Sequence, residues 1–358
     1  MILPATFLPA VLLMVLALVC AGSWTSTFKA ARPFRYELYY FDFAFGALVV
    51  TLIAALTLGS LRSSELTFED NLLITAYHLI AYALAAGAVF NLGNVILLAG
   101  ISVGGIALCV PLAAGVALAI DAVWDFVSDP RINPLLLFGG VGVVLVALTV
   151  LSMAYFRHRR AVAEAEKKAL QVDPRSKEAK RRPKGVAAGA AVALAIVAGL
   201  ILSLWPRLAG AAREGDTGVA PYGLTLLFAG GMVFSTLLCS PFVLAFPVGG
   251  SPATIAGYFR ASRKGHLLGI LGGVLFGAGA LAANLVLGSP AGRAVGPMLI
   301  NGIAQGAPLL AFLWGVAVWK EFRGANQGVS VAGLLWSGFL LYAVGAALIT
   351  AAPLFGSR

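Results

Sequence analysis

Few residues in this chain can do polar chemistry, and four of them are side-chain amides set deep in apolar sequence. Asn91 and Asn94 stand three apart and Asn301 and Gln305 four apart, so each pair falls on one face of a helix. An amide offers donors and an acceptor together, which suits a neutral solute rich in hydroxyls or amides better than an ion. The alternative use is hydrogen bonding between helices, worth about 0.6 to 2 kcal/mol per pair. Gln305 lies nearer the middle of its apolar run than Asn91. The indole of Trp314 is a flat platform for a sugar or nucleobase ring, or else a filler of core space, and the same holds for Trp336.

Asp42 follows Tyr39, Tyr40 and Phe41 at the start of an apolar run. A carboxylate at the edge of hydrocarbon is a natural proton carrier, and a cap or a pairing with Lys29, Arg32 or Arg35 is the other reading. His78 and His266 sit near the ends of apolar runs, where interfacial packing and a proton relay are both open. Glu37 reads as interfacial.

No catalytic motif accompanies these residues. The chain has no Gly-rich loop ending in Gly-Lys-Ser/Thr, no His-Glu-x-x-His and no Cys-x-x-Cys, so the reading is of a protein that is not an enzyme, with no cofactor, no metal site and no ATP-driven step. Cys20, Cys109 and Cys239 are odd in number and lie in apolar runs, which indicates no disulfide framework.

The elements that must position these groups follow from composition. Of 358 residues, 60% are hydrophobic and 11% charged, with a mean hydropathy of +0.94, far outside the range of a soluble domain. The partner is a lipid bilayer. A spanning helix needs about 20 apolar residues, and the gaps between charges predict ten spans. They cover roughly 4–23, 39–59, 72–97, 103–121, 134–156, 185–206, 219–246, 265–287, 294–319 and 328–351. Residues 71–120 hold no Asp, Glu, Lys or Arg, enough for two helices joined by a short turn, placed at Ala99 to Gly104 with its glycines Gly100 and Gly104. The first run, Leu3 to Ala21, lacks the basic segment and cleavage site of a signal peptide and is read as a span.

The one long polar stretch, residues 157–184, has eleven Lys or Arg against Glu164, Glu166, Asp173 and Glu178. It divides the chain into a first five-helix half (1–156), a basic cytoplasmic loop (157–184) and a second five-helix half (185–358). The positive-inside rule holds that loop in the cytoplasm, and a stretch this short builds no nucleic-acid-binding domain. With ten spans both termini then lie outside, and alternation puts 19 Lys and Arg inside against six outside. Two halves of five spans necessarily run in opposite directions, the inverted-repeat plan of many secondary transporters. A faint internal match agrees: His78-Leu79-Ile80 with Asn94 beyond it, against His266-Leu267-Leu268 with Asn284 beyond it.

Two stretches resemble known families. Gly22-Ser23-Trp24, Lys29, the run Arg35-Tyr36-Glu37-Leu38-Tyr39-Tyr40-Phe41-Asp42-Phe43 and Gly46 resemble the opening of the glucose/ribose uptake, rhamnose-proton symporter and plant ureide permease families, within the drug/metabolite transporter superfamily. Gly302-Ile303-Ala304-Gln305-Gly306, Pro308, Trp314-Gly315 and Trp319-Lys320-Glu321 are similar to the matching later region. The resemblance implies an all-α integral membrane fold of ten helices in two inverted five-helix repeats around a central cavity, moving a small polar solute. Residues 157–184 hold none of the nucleotide-binding-like motif of the plant permeases' central loop, which leaves sugars, nucleobases and related neutral metabolites open beside ureides.

The expectation is therefore a secondary transporter of a small neutral polar metabolite in a plasma membrane, the inner membrane of a bacterium. It takes up its solute with protons, or with sodium, through Asp42, and binds it with Asn91, Asn94, Asn301, Gln305 and Trp314. An exporter on the same fold and a membrane scaffold or lipid-handling protein without a solute path are the rivals. Oligomeric state is not legible.

Overall fold

The computed structural model describes residues 1–61, 66–172, 188–249, 251–323 and 329–356. In hydrocarbon every backbone N–H and C=O must be paired within the segment, so long apolar runs become helices. Ten helices are long and apolar enough to cross a membrane: Phe7–Ala30, Tyr36–Gly59, Tyr77–Gly104, Ile106–Ser128, Pro134–Lys168, Gly189–Ala211, Pro221–Ala245, Arg263–Leu287, Leu299–Val318 and Val331–Phe355. They are called here the first to the tenth span.

Three boundaries differ from the sequence expectation. Ala99 to Gly104 is helical, and the break falls one residue later, at Gly105, whose φ of 89° is open to glycine and costly for other residues. The basic stretch begins as helix: the fifth span continues unbroken as Pro134–Val172, through Arg157, Arg159, Arg160, Lys167 and Lys168. Residues 173–184 of the expected loop, the first residues of the expected sixth span and Arg62 lie outside the described residues. The ninth span is in two pieces, Pro297–Ala304 and Gly306–Leu313, divided at Gln305, and it ends in a π-helical turn, Trp314–Val318.

Packing pairs the spans in a regular way. The first lies against the eighth and ninth, the sixth against the third and fourth; the second lies against the eighth, the third against the seventh; the second crosses the seventh, and the fifth and tenth pack together at one side. Two of these crossings are too close for any side chain. A Cβ on Gly87 would overlap the carbonyl oxygen of Phe228 and one on Gly231 that of Leu84, where the third and seventh spans cross. Gly46 with Ile270 and Gly273 with Phe43 repeat the arrangement where the second and eighth spans cross.

At the basic end of the bundle the first, fourth and ninth spans are tied by one carboxylate. Lys320 takes a φ of 53°, in the left-handed region, and turns the chain back after the ninth span. Glu321 then accepts from Lys29 Nζ at 2.6 Å and from the backbone N–H groups of Ile106 and Ala107 at 3.0 and 2.9 Å. An acid at the opening of the fourth span satisfies donors that no helix can pair internally and meets the positive end of its dipole.

Candidate functional site

Six aromatic rings, one from each of six spans, meet in the middle of the bundle. Phe90 of the third span and Phe276 of the eighth stack with centroids 4.7 Å apart. Phe43 of the second packs on Phe276 at 5.6 Å and Phe228 of the seventh on Phe90 at 5.3 Å. Trp24 of the first touches Phe43 and Phe276, at 4.8 and 6.4 Å; Trp205 of the sixth touches Phe228 and Phe90, at 5.5 and 5.9 Å. Trp24, Phe43, Phe90 and Phe228 are buried, whereas Phe276 and Trp205 keep part of their surface open.

The close helix crossings place these rings. In the second and seventh spans a phenylalanine stands three residues before the crossing glycine, Phe43 before Gly46 and Phe228 before Gly231. In the third and eighth the order reverses, Gly87 before Phe90 and Gly273 before Phe276. One helical turn separates each glycine from its ring, so where backbones touch, the rings are carried into the same centre.

Polar groups flank the rings. One turn beyond Phe90, Asn94 donates from Nδ2 to the Tyr40 hydroxyl at 3.1 Å, and both residues are at most 2% exposed. Among the described residues no further donor reaches Asn94 Oδ1 and no acceptor takes the Tyr40 proton. The pair therefore keeps at least one acceptor and one donor in hand, and does so whichever way the amide is turned. Three residues before Phe228, Thr225 accepts from Asn284 Nδ2 at 3.1 Å, as Tyr40, three residues before Phe43, accepts from Asn94.

The other expected site residues lie elsewhere. Asn91 is fully buried and both ends of its amide are engaged by the seventh span: Nδ2 donates to Ser235 Oγ and Oδ1 accepts from Thr236 Oγ1, each at 3.1 Å. Asn301 is exposed. Gln305 lines a cavity of about 290 Å³ between the ninth and tenth spans, with Leu309, Ala343, Ala346 and Thr350, and neither Asn91 nor Asn94 reaches that cavity. Trp314 donates from its indole to Ser23 Oγ at 3.0 Å, holding the ninth span to the first. Trp336 packs edge-on against Phe312 and Phe339.

Asp42 is 4% exposed and is held by the second half of the chain. Its Oδ2 lies 2.7 Å from His266 Nδ1, and Oδ1 accepts from the Tyr258 hydroxyl at 2.6 Å. His266 Nε2 is 3.1 Å from the Tyr258 carbonyl oxygen. That carbonyl and an ionised Asp42 can each only accept, so both ring nitrogens face acceptors: a doubly protonated imidazole satisfies both, and a neutral one satisfies both only when Asp42 carries the proton toward Nδ1. Burial, and then the hydrogen bond to Asp42, push the Tyr258 phenol well above its ordinary value, so it stays a donor. Lys29, Arg32 and Arg35, the partners considered from sequence, are engaged by Glu321, the Ser102 carbonyl, and Glu37 with the Ser251 carbonyl. Glu37, expected at the interface, is buried in its pair with Arg35. His78 is exposed, with its ring edge-on to Tyr82.

Sequence reasoning missed the ring cluster and the partner of Asp42. The signal for the rings was present as Phe-Ala-Phe-Gly against Phe-Ala-Gly-Gly, and Gly-Ala-Val-Phe against Gly-Val-Leu-Phe.

Ten apolar spans around a buried centre of rings and amides define a multi-pass membrane protein. Comparison with known proteins gives it a kindred family: residues 39–205, which include Tyr40, Asp42, Phe90 and Asn94, match the family described as ureide permease. Ureide permease 2 of Arabidopsis thaliana is 22% identical over 89% of this chain and 91% of its own length. Ureide permease 1 of the same plant is 29% identical over 39% of this chain and 36% of its own length, and Ureide permease 3 is 28% identical over 38% and 40%. Of the three families that the opening motif resembles, the similarity is to the ureide permeases, which are transporters and not enzymes. A solved structure overlays 96% of the chain at 15% identity with a TM-score of 0.49, too distant to inform the fold.

Proposed function

We propose that the chain is a secondary transporter that moves a small neutral polar metabolite of the ureide class, bound where the six rings meet, on an axis relating two inverted five-helix repeats. The observation that carries this reading is the arrangement of the rings as three matched pairs. Exchanging Trp24 with Trp205, Phe43 with Phe228 and Phe90 with Phe276 turns the contacts of Trp24 into those of Trp205, and the Phe43 to Phe276 contact into that of Phe228 with Phe90. The span pairings obey the same exchange: first on eighth becomes sixth on third, second on eighth becomes seventh on third, and first on ninth becomes sixth on fourth. Transporters of inverted design hold their solute between such halves.

A ureide is a flat array of N–H and C=O groups. Ring faces accept its plane, and the acceptor and donor left open on Asn94 and Tyr40 match its edge. In the conformation described here that pair is buried, so the solute reaches it as the partly open Phe276 and Trp205 give way. Asp42 of the first half and His266 of the second share a proton across the two halves, and uptake coupled to protons runs through that pair. The membrane is the plasma membrane, with both termini outside.

The test is counterflow in proteoliposomes loaded with a cyclic ureide, beside parallel vesicles loaded with a sugar or a nucleobase. Exchange of the ureide that is lost in Phe276→Ala, with the variant still folded, supports the reading. Absence of exchange for every solute in a protein that melts cooperatively overturns it.

A further inference from the structure

A second cavity, of about 180 Å³, opens at the basic end of the bundle, well apart in chemistry from the ring cluster. Its cationic lining comes from three elements: Lys29 at the end of the first span, Arg32 just after it, and Arg159 on the extension of the fifth span. Glu321 is the one acid among the described lining residues, and its oxygens are already taken by Lys29 and by the N–H groups of Ile106 and Ala107. Three cations against one spent carboxylate leave an excess of positive charge. Arg32 gives one hydrogen bond, to the Ser102 carbonyl, and Arg159 makes no hydrogen bond or ion pair among the described residues.

An independent feature points to a ligand. Tyr155, which also lines the cavity, is only 3% exposed, yet its hydroxyl has no hydrogen-bond partner. Leaving a buried hydroxyl unmatched costs about 1 to 3 kcal/mol. Thr25 Oγ1, Arg207 Nε and the Tyr342 hydroxyl share this state among the described residues, and of the four only Tyr155 lines either cavity described here. A phenol can donate to an anion, and guanidinium groups pair with tetrahedral oxyanions through two parallel N–H bonds.

We propose that this cavity binds a phosphate group, held by Arg32, Arg159 and the Tyr155 hydroxyl. Its volume of about 180 Å³ admits one phosphate or phosphodiester group. Seated there, the anion joins the loop after the first span, the Gly105 break and the extension of the fifth span, and stiffens the end of the bundle at which Lys29 and Glu321 meet. A lipid headgroup and free phosphate offer the same chemistry.

The experiment uses the full chain in nanodiscs and reads the melting temperature, because a ligand that binds the folded state alone must raise it. In one arm inorganic phosphate is titrated into phosphatidylcholine discs, with chloride holding the ionic strength constant. In the other, a quarter of the lipid is phosphatidylglycerol and no phosphate is present. A saturable rise in the first arm identifies free phosphate as a source, and a rise in the second identifies the headgroup. In either case Arg159→Gln should weaken the response at least tenfold. Tyr155→Phe should weaken it several-fold, while its unliganded melting temperature does not fall and rises if anything, because the hydroxyl has no bond to lose and the cost of burying it unmatched is removed. If neither arm moves the wild type, or if both variants respond as the wild type does, the proposal is overturned.

Discussion

The pairing of Asn94 with Tyr40 offers a way to separate recognition from packing. Asn94→Leu takes from Tyr40, itself 2% exposed, the donor it accepts from at 3.1 Å. A buried hydroxyl left unmatched costs about 1 to 3 kcal/mol, so the variant should melt at lower temperature, and Tyr40→Phe should do the same from the other side. Replacing both partners by apolar groups of similar shape is nearly neutral. The double variant should therefore recover most of the stability, with a coupling energy of about 1 to 2 kcal/mol in the thermodynamic cycle. Recognition behaves differently. If the solute uses the open acceptor and donor, each substitution should weaken binding by about 1 to 2 kcal/mol, or about 5- to 30-fold in Kd, and the double variant should regain none of it. Thermal unfolding and equilibrium binding of a cyclic ureide, measured on the same four preparations in nanodiscs, decide the matter. A double variant that binds as tightly as the wild type would show that the pair only packs, and the site would have to be sought elsewhere.

Further outcomes follow from the ion pairs and the charge bias. Asp42→Asn and His266→Gln should each abolish uphill accumulation of solute in proteoliposomes under a proton gradient while sparing solute exchange; accumulation that persists in both excludes the pair as the carrier. Glu321→Ala leaves Lys29, 15% exposed in its side chain, without its counter-charge and two backbone N–H groups unpaired. It should lower unfolding stability by about 3 to 5 kcal/mol, and Lys29→Met combined with Glu321→Gln should recover part of that, as read by chemical denaturation. For topology, a cysteine at Arg160 should resist an impermeant thiol reagent in intact cells and one at Glu214 should react, and the opposite pattern would reverse the orientation.

The spans were legible because the signal is long and one-sided: some 20 apolar residues between charges can do little in hydrocarbon but form a helix. What blurred were ends and breaks. Ala99 to Gly104 reads as a turn by its glycines, but glycine is common in membrane helices and only the residue needing a positive φ, Gly105, stops this one. The basic stretch reads as a loop because it is polar, yet Arg157 to Val172 continues the fifth span, since a helix leaving the bilayer keeps its internal hydrogen bonds and loses only its apolar surroundings. Gln305 read as a mid-span amide facing a cavity. It does line one, but at the point where the ninth span divides, so that residue also closes one helical piece before the next begins.

The site was less legible, because its defining features are relations between distant residues of ordinary type. Asp42 drew attention as an acid at the edge of an apolar run, and the cations near it in sequence were its natural partners. The fold gave it His266 and Tyr258 instead, and those become neighbours only through packing of the second span on the eighth. Asn91 and Asn94 look alike in sequence, three residues apart on one face, yet the seventh span engages both ends of one amide and the second span a single end of the other. An aligned pair of histidines, His78 and His266, suggested the internal repeat, but one is exposed at the surface and the other faces Asp42. The pattern that does recur lies in residues without chemistry of their own. A phenylalanine one turn before a glycine in the second and seventh spans, and one turn after it in the third and eighth, is unremarkable in any single helix. Once each glycine brings two backbones into contact, the four rings must share one centre, and the polar pairs beside them, Tyr40 with Asn94 and Thr225 with Asn284, are placed by the same geometry. The recognition proposed for this centre then depends on whether backbones can touch, so a methyl group added at Gly87 or Gly273 would displace the rings as surely as replacing the rings themselves.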